Sequence, residues 1–143
     1  LSNPSALEYA VTVMEEKISA WQPDIIAGIE SRGFLFATPL ALRMGLPMMM
    51  IRKAGKLPGE VVSYEYDLEY GTDTIQIQAD AIQPGQRVVI VDDLLATGGT
   101  LEASIKICQK VGGEVIGCTV VIELDFLSGR NNLSVPCKSL VNY

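Results

Sequence analysis

Apolar residues recur at two different periods along the chain, and the changes of period mark out its elements. Leu7, Ala10, Val11, Met14 and Ile18 return at helical spacing, with Glu8, Glu15, Glu16 and Lys17 on the opposite side. Asn3-Pro4 gives this helix its start, an N-cap side chain ahead of a ring that presets the first helical φ. Pro23 is its expected stop. Residues 24–29 form a short apolar run ending in Glu30-Ser31-Arg32-Gly33, which reads as a buried strand delivering a polar turn. Residues 34–44 predict a largely apolar helix stopped at Gly45, with Pro39 either kinking it or marking a late start.

A second apolar run, residues 46–52, again ends in basic residues, and the glycines and proline of residues 53–59 read as a mobile loop. Residues 61–67 and 74–78 alternate in strand fashion around Glu69-Tyr70-Gly71, the pattern of a paired β-ribbon. Tyr64 and Tyr66 then read as cross-strand packing partners. After the turn at Pro84-Gly85, residues 87–91 are a β-branched strand leading to Asp92-Asp93. Leu101, Ile105, Cys108 and Val111 make a helical stripe stopped by Gly112-Gly113. Residues 115–122 are another buried strand, and residues 138–141 a last one. Trp21, at the end of the first helix, reads as a packing residue.

Strands alternating with helices imply an α/β fold, a central mostly parallel sheet with helices on both faces, here carrying a β-ribbon and a flexible loop. In such sheets ligands bind beyond the carboxyl ends of the strands. Polar residues follow three separate apolar runs, at 30–32, 52–53 and 92–100, so all three belong on one rim.

Composition narrows the chemistry. The 143 residues suit one core domain spanning 1–143. The longest apolar runs are too short to span a bilayer, and no basic segment opens the chain, so a soluble cytoplasmic protein without membrane contact is expected. There is no initiator methionine, and Leu1 reads as an entry partway into a fold. Cys108, Cys118 and Cys137 are odd in number and far apart, which makes them reduced core thiols. Histidine is absent, which removes Ser-His-Asp and Cys-His catalysis and leaves proton transfer to carboxylates, lysine, tyrosine or water. A net charge of −6 argues against a nucleic-acid surface. Yet residues 31–59 hold no acid and carry Arg32, Arg43, Arg52, Lys53 and Lys56, a basic segment that suits a local anion site. Arg43, mid-helix, belongs to the surface instead.

The informative stretch is residues 88–100. Four β-branched residues build a central strand, and two carboxylates follow, where burial without partners is costly. The glycines of the next loop let backbone N–H groups approach an anion, Thr97 and Thr100 add hydroxyl donors, and a helix N-terminus favours negative charge. The loop lacks the lysine of a Walker A motif and the spacing of a dinucleotide fingerprint, which removes the main support for an ATPase or a dehydrogenase.

Asp92-Asp93-Leu94-Leu95-Ala96-Thr97-Gly98-Gly99-Thr100 resembles the phosphoribosyl-pyrophosphate motif of type I phosphoribosyltransferases. Glu30-Ser31-Arg32-Gly33-Phe34, Arg52-Lys53-Ala54-Gly55-Lys56-Leu57-Pro58-Gly59 and Leu68-Glu69-Tyr70-Gly71 extend the likeness to the adenine-specific members over essentially the whole chain. The resemblance implies transfer of a 5-phosphoribosyl group from 5-phosphoribosyl 1-pyrophosphate to adenine, giving AMP and pyrophosphate, with Mg²⁺ carried by the pyrophosphate. It implies that Asp92 and Asp93 hold the ribose hydroxyls, directly or through Mg²⁺-bound water, and that Ala96, Thr97, Gly98, Gly99 and Thr100 hold the 5-phosphate. Ser31, Arg32, Arg52, Lys53 and Lys56 would take the pyrophosphate, with a cis peptide beside Ser31 and the glycine-rich loop acting as a lid. Glu69 would handle the adenine ring proton, and Tyr70 would close over the site. One of Leu94 and Leu95 would face the base and the other the core, with Leu94 taken as the base-side residue. The family also implies an amino-terminal hood over the base, which none of these residues matches. A homodimer is implied too. The apolar residues 34–44 and 48–50 agree with one, although a buried parallel strand explains 48–50 equally well. Two other readings remain: a non-catalytic module that senses phosphoribosyl pyrophosphate, and an enzyme for another purine base.

Overall fold

The computed structural model describes all 143 residues. Helix α1 spans Pro4–Ile18, and the Asn3 carboxamide oxygen accepts from the Ala6 amide at 3.2 Å as its cap. It ends earlier than the proline suggests. The Ser19 hydroxyl donates to the Glu15 carbonyl, a 3₁₀ turn follows at Ser19–Trp21, and Gln22 takes a left-handed φ of 51° before Pro23. Strand β1, Ile25–Ile29, is buried throughout. Helix α2, Phe34–Met44, starts at Phe34 and runs through Pro39 to a left-handed Gly45, so Pro39 does not mark a late start.

Strands β2 (Met48–Lys53), β3 (Val61–Asp67), β4 (Thr72–Gln78), β5 (Arg87–Leu95), β6 (Glu114–Glu123) and β7 (Cys137–Asn142), with helix α3 (Gly99–Lys110), complete the fold. All strands join one sheet in the order β3-β4-β2-β1-β5-β6-β7. From β2 to β7 the pairing is parallel, while β4 runs antiparallel to both β2 and β3. The ribbon therefore extends the main sheet through Arg52↔Gln76 and Lys53↔Ile75. Helices α1 and α2 cover one face, over a core that includes Met14, Ile18, Ile26 and Leu40. Helix α3 covers the other, over Ile51, Ile90, Ile105 and Ile107.

Strand β5 is longer than its β-branched run. It passes through both aspartates to Leu95 because β6 pairs with it as far as Leu95↔Glu123. The acids thus sit on the last rungs of a central strand, half-buried rather than beyond its tip. Between β6 and β7 two 3₁₀ turns, Asp125–Leu127 and Gly129–Asn132, organise a segment with no periodic pattern. All three cysteines are buried and free, and burial pushes the thiols of Cys108 and Cys137 up to about 12 and about 11. Trp21 packs against the smaller core, with the Lys138 ammonium 4.8 Å from its ring centroid.

Candidate active site

The carboxyl ends of β1, β2 and β5 open on one cleft of 520 Å³. The turn after β1 brings Ser31 and Arg32 to it, β2 brings Lys53, and the following loop brings Lys56. From β5 and the turn into α3 come Asp92, Asp93, Leu94 and residues 96–100. Both leucines border the cleft, but Leu95 is fully buried in the larger core while Leu94 is half-buried. Arg52 does not line it: its guanidinium reaches Glu30 at 3.4 Å and lies 6.0 Å from the Phe34 ring centroid. Glu69 and Tyr70 also stand outside, exposed on the turn between β3 and β4 that the Leu68 amide closes on the Gly71 carbonyl.

Close backbone packing shapes the turns that border the cleft. A Cβ on Gly33 would lie 2.4 Å from the Ile29 carbonyl oxygen and 2.8 Å from that of Val91, so only glycine lets the turn after β1 pass beneath β5. The Glu30-Ser31 peptide just before it is cis. At the start of α3, Gly98 has a φ of 90°, and a Cβ there would meet the Gly129 carbonyl at 2.7 Å. No side chain caps this helix, so its first amides remain directed at the cleft. Asn132 braces the turn from behind by donating to the Thr97 carbonyl at 2.8 Å.

The charges of the cleft are paired within the protein. Arg32 Nε donates to Asp93 Oδ2 at 2.5 Å, which raises the guanidinium's pKa. Glu30 accepts from Lys56 Nζ at 2.5 Å and from the Lys53 amide at 2.6 Å, as well as from Arg52. Burial works to raise the Glu30 carboxyl, but these bonds together hold it below the ordinary carboxylate value. The Lys53 ammonium bonds Asp73 of β4 and lies 3.3 Å from the Tyr66 hydroxyl, which is itself 3.4 Å from Thr100 Oγ1. Asp92 stands apart. Burial pushes its carboxyl up to about 7, the neighbouring Asp93 charge adds to this, and the Asp93 amide donating at 2.8 Å opposes it.

Three contributors were not legible as site residues from pattern alone, while Glu30 was placed on the rim but given no role. Asp73 lies on a ribbon strand, and Asn132 sits in an aperiodic segment. Tyr66 alternates with Tyr64 as a packing residue would, and its ring does pack on the larger core while its hydroxyl reaches the site.

The phosphoribosyl transferase domain family matches residues 3–141. An adenine phosphoribosyltransferase from Gluconobacter oxydans is 59% identical over the whole chain and 80% of its own length. The chain belongs to the adenine phosphoribosyltransferase family. Solved members of the family carry the same fold. The enzyme from Thermoanaerobacter pseudethanolicus superposes with a TM-score of 0.97 at 47% identity, covering 99% of this chain and 83% of the other. The adenine phosphoribosyltransferase from Saccharomyces cerevisiae, solved with an imino-altritol bisphosphate and adenine, gives 0.90 at 40% identity, covering 97% and 81%.

Proposed function

We propose that this chain transfers the 5-phosphoribosyl group of 5-phosphoribosyl 1-pyrophosphate to adenine, releasing pyrophosphate and forming AMP for purine salvage. The observation that carries the reading is one cleft joining the Asp92-Asp93 pair, an uncapped helix start with its glycine turn, and the cations Arg32, Lys53 and Lys56. A sugar flanked by two phosphate groups needs those three features side by side. The 5-phosphate rests on Ala96, Thr97, Gly98, Gly99 and Thr100, and the ribose hydroxyls donate to Asp92 and Asp93. Arg32 and Ser31 take the pyrophosphate with Lys53 and Lys56, while Arg52 supports them through Glu30.

In the reaction the bond from ribose carbon 1 to a pyrophosphate oxygen breaks as an adenine ring nitrogen attacks the opposite face. Positive charge builds on the ribose and negative charge on the leaving group, so positioning and fixed charges do most of the catalysis. Glu69 takes the proton that the ring nitrogen loses, and Tyr70 covers the site. Both ride on the exposed ribbon turn and reach the cleft by its closure. The lid carrying Lys56 closes over pyrophosphate and keeps water from the cation-like sugar. Leu94 offers the base an apolar wall.

The two cleft carboxylates, Asp92 and Asp93, would accept from water on an Mg²⁺ carried by the pyrophosphate. That ion would supply charge neutralisation to the departing pyrophosphate. No helix is long and apolar enough to cross a membrane, and we keep a cytoplasmic location. Exposed Leu35 and Leu42 on α2 support a homodimer.

The deciding assay supplies phosphoribosyl pyrophosphate, Mg²⁺ and each of adenine, hypoxanthine, guanine and xanthine, and follows pyrophosphate release. Adenine is expected to be the one base turned over efficiently. Release with another base instead would reassign the substrate, and binding without release with any base would make the protein a sensing module.

A further inference from the structure

Tyr66 is placed to do more than pack. Its hydroxyl lies 3.3 Å from Lys53 Nζ, 3.4 Å from Thr100 Oγ1 and 3.5 Å from Asp73 Oδ2. These three partners come from three elements: β2, the start of α3 and β4. A phenol has one proton to donate and can accept from others. Lys53 can only donate, so it fills an acceptor position of Tyr66. The proton of Tyr66 can then go to Asp73, at 3.5 Å, or to Thr100, whose oxygen is the nearer at 3.4 Å. With the tyrosine proton on Thr100 Oγ1, the threonine's own proton is left free to point into the cleft.

We propose that Tyr66 is a positioning residue that orients Thr100 as a hydrogen-bond donor toward the 5-phosphate and fixes Lys53 beside the pyrophosphate. The chain runs from the Lys53 ammonium to the Tyr66 oxygen, from the Tyr66 proton to Thr100, and from the Thr100 proton to a phosphate oxygen. Each link polarises the next, because a charge stands at one end and an anion at the other. Asp73 anchors the charged end: its bond from Lys53 holds its carboxyl below the ordinary value despite some burial. The proposal rests on the assignment of Lys53 and Thr100 to the substrate's two anionic ends. It adds that one ribbon side chain governs both.

Tyr66→Phe keeps the ring and removes only the hydroxyl. The KM for phosphoribosyl pyrophosphate is expected to rise about fivefold, the loss of roughly one hydrogen bond. The KM for adenine and the melting temperature should stay near those of the unmodified protein. In a Thr100→Val background the same substitution should have less than half that effect, since its target is gone. Asp73→Asn, which leaves Tyr66 in place, should shift the KM in the same direction and serves if the phenylalanine variant misfolds. An unchanged KM in Tyr66→Phe, or an equal effect with and without Thr100, would overturn the proposal. Calorimetric Kd values for phosphoribosyl pyrophosphate make the same comparison without turnover. An unmodified protein that binds it but transfers nothing would refute the enzymatic reading and still test Tyr66. One that fails to bind it would overturn both.

Discussion

Asp92, proposed to hold the ribose, carries a carboxyl that burial makes costly to ionise. The resemblance implied a diol-binding acid, but only the structure shows it half-buried on a central strand, with its carboxyl pushed up to about 7 from 3.8. A carboxyl whose folded value lies above its unfolded value holds its proton more tightly in the native state. Its ionisation therefore removes stability as the pH climbs from about 4 to about 7, and the loss is complete above that window. Asp92→Asn, which cannot ionise, should melt several degrees above the unmodified protein at pH 8, on the order of 1–2 kcal/mol, and together with it near pH 3.5. Transfer should fall at least tenfold in the same variant, by loss of about 1.5–3 kcal/mol of charge-assisted bonding to the sugar. Thermal unfolding across pH, set beside turnover, reads both. A melting difference that does not change with pH would show that folding leaves the proton affinity of the Asp92 carboxyl unchanged.

Elements divide by whether their organisation is local. Helix α1, the ribbon and the β-branched start of β5 were legible because period, caps and turn residues lie within a few positions of one another. The length of β5 was not, since it depends on β6, more than twenty residues away. The junction of β4 with β2 was hidden for the same reason, and with it the contact of Asp73 and Tyr66 with Lys53. The segment after β6 has no period at all and is organised by Arg130. Its guanidinium bonds both oxygens of Glu123, at 2.5 and 3.1 Å, and the Cys137 carbonyl, which holds the Glu123 carboxyl below its ordinary value. Glu123 is only 5% exposed, so Arg130→Met leaves a nearly buried carboxylate without its counter-charge. The expected cost is about 2 kcal/mol, less than for a fully buried pair because Arg130 is itself nearly half exposed. Denaturant unfolding measures it. Because the same 3₁₀ turn carries Gly129 and Asn132 behind the phosphate loop, the KM for phosphoribosyl pyrophosphate should rise in parallel. A stability loss with that KM unchanged would uncouple the turn from the loop.

At the scale of the molecule, every candidate site residue except Arg52 and the ribbon-tip pair lines one cleft, at the rim that strand direction requires. What strand direction does not reveal is how the charges of the rim are paired. Arg32 is bonded to Asp93, Lys56 to Glu30, and Lys53 to Asp73, so each cation of the cleft is held by an acid of the same protein. Pyrophosphate that draws Arg32 away leaves Asp93 without its partner, and a ribose that engages Asp93 does the same to Arg32. A ligand bearing both groups breaks the pair once and satisfies both halves. Pyrophosphate and ribose 5-phosphate, added separately, should then bind with positive coupling. In the presence of Mg²⁺, saturating ribose 5-phosphate is expected to tighten pyrophosphate binding by about three- to tenfold, roughly 0.7–1.4 kcal/mol, and the reverse titration should give the same factor. Asp93→Asn has no charge to hold Arg32, so its coupling should fall toward one. Isothermal titration of each ligand with and without the other decides the matter, and equal affinities in the unmodified protein would mean that the Arg32–Asp93 pair does not have to break.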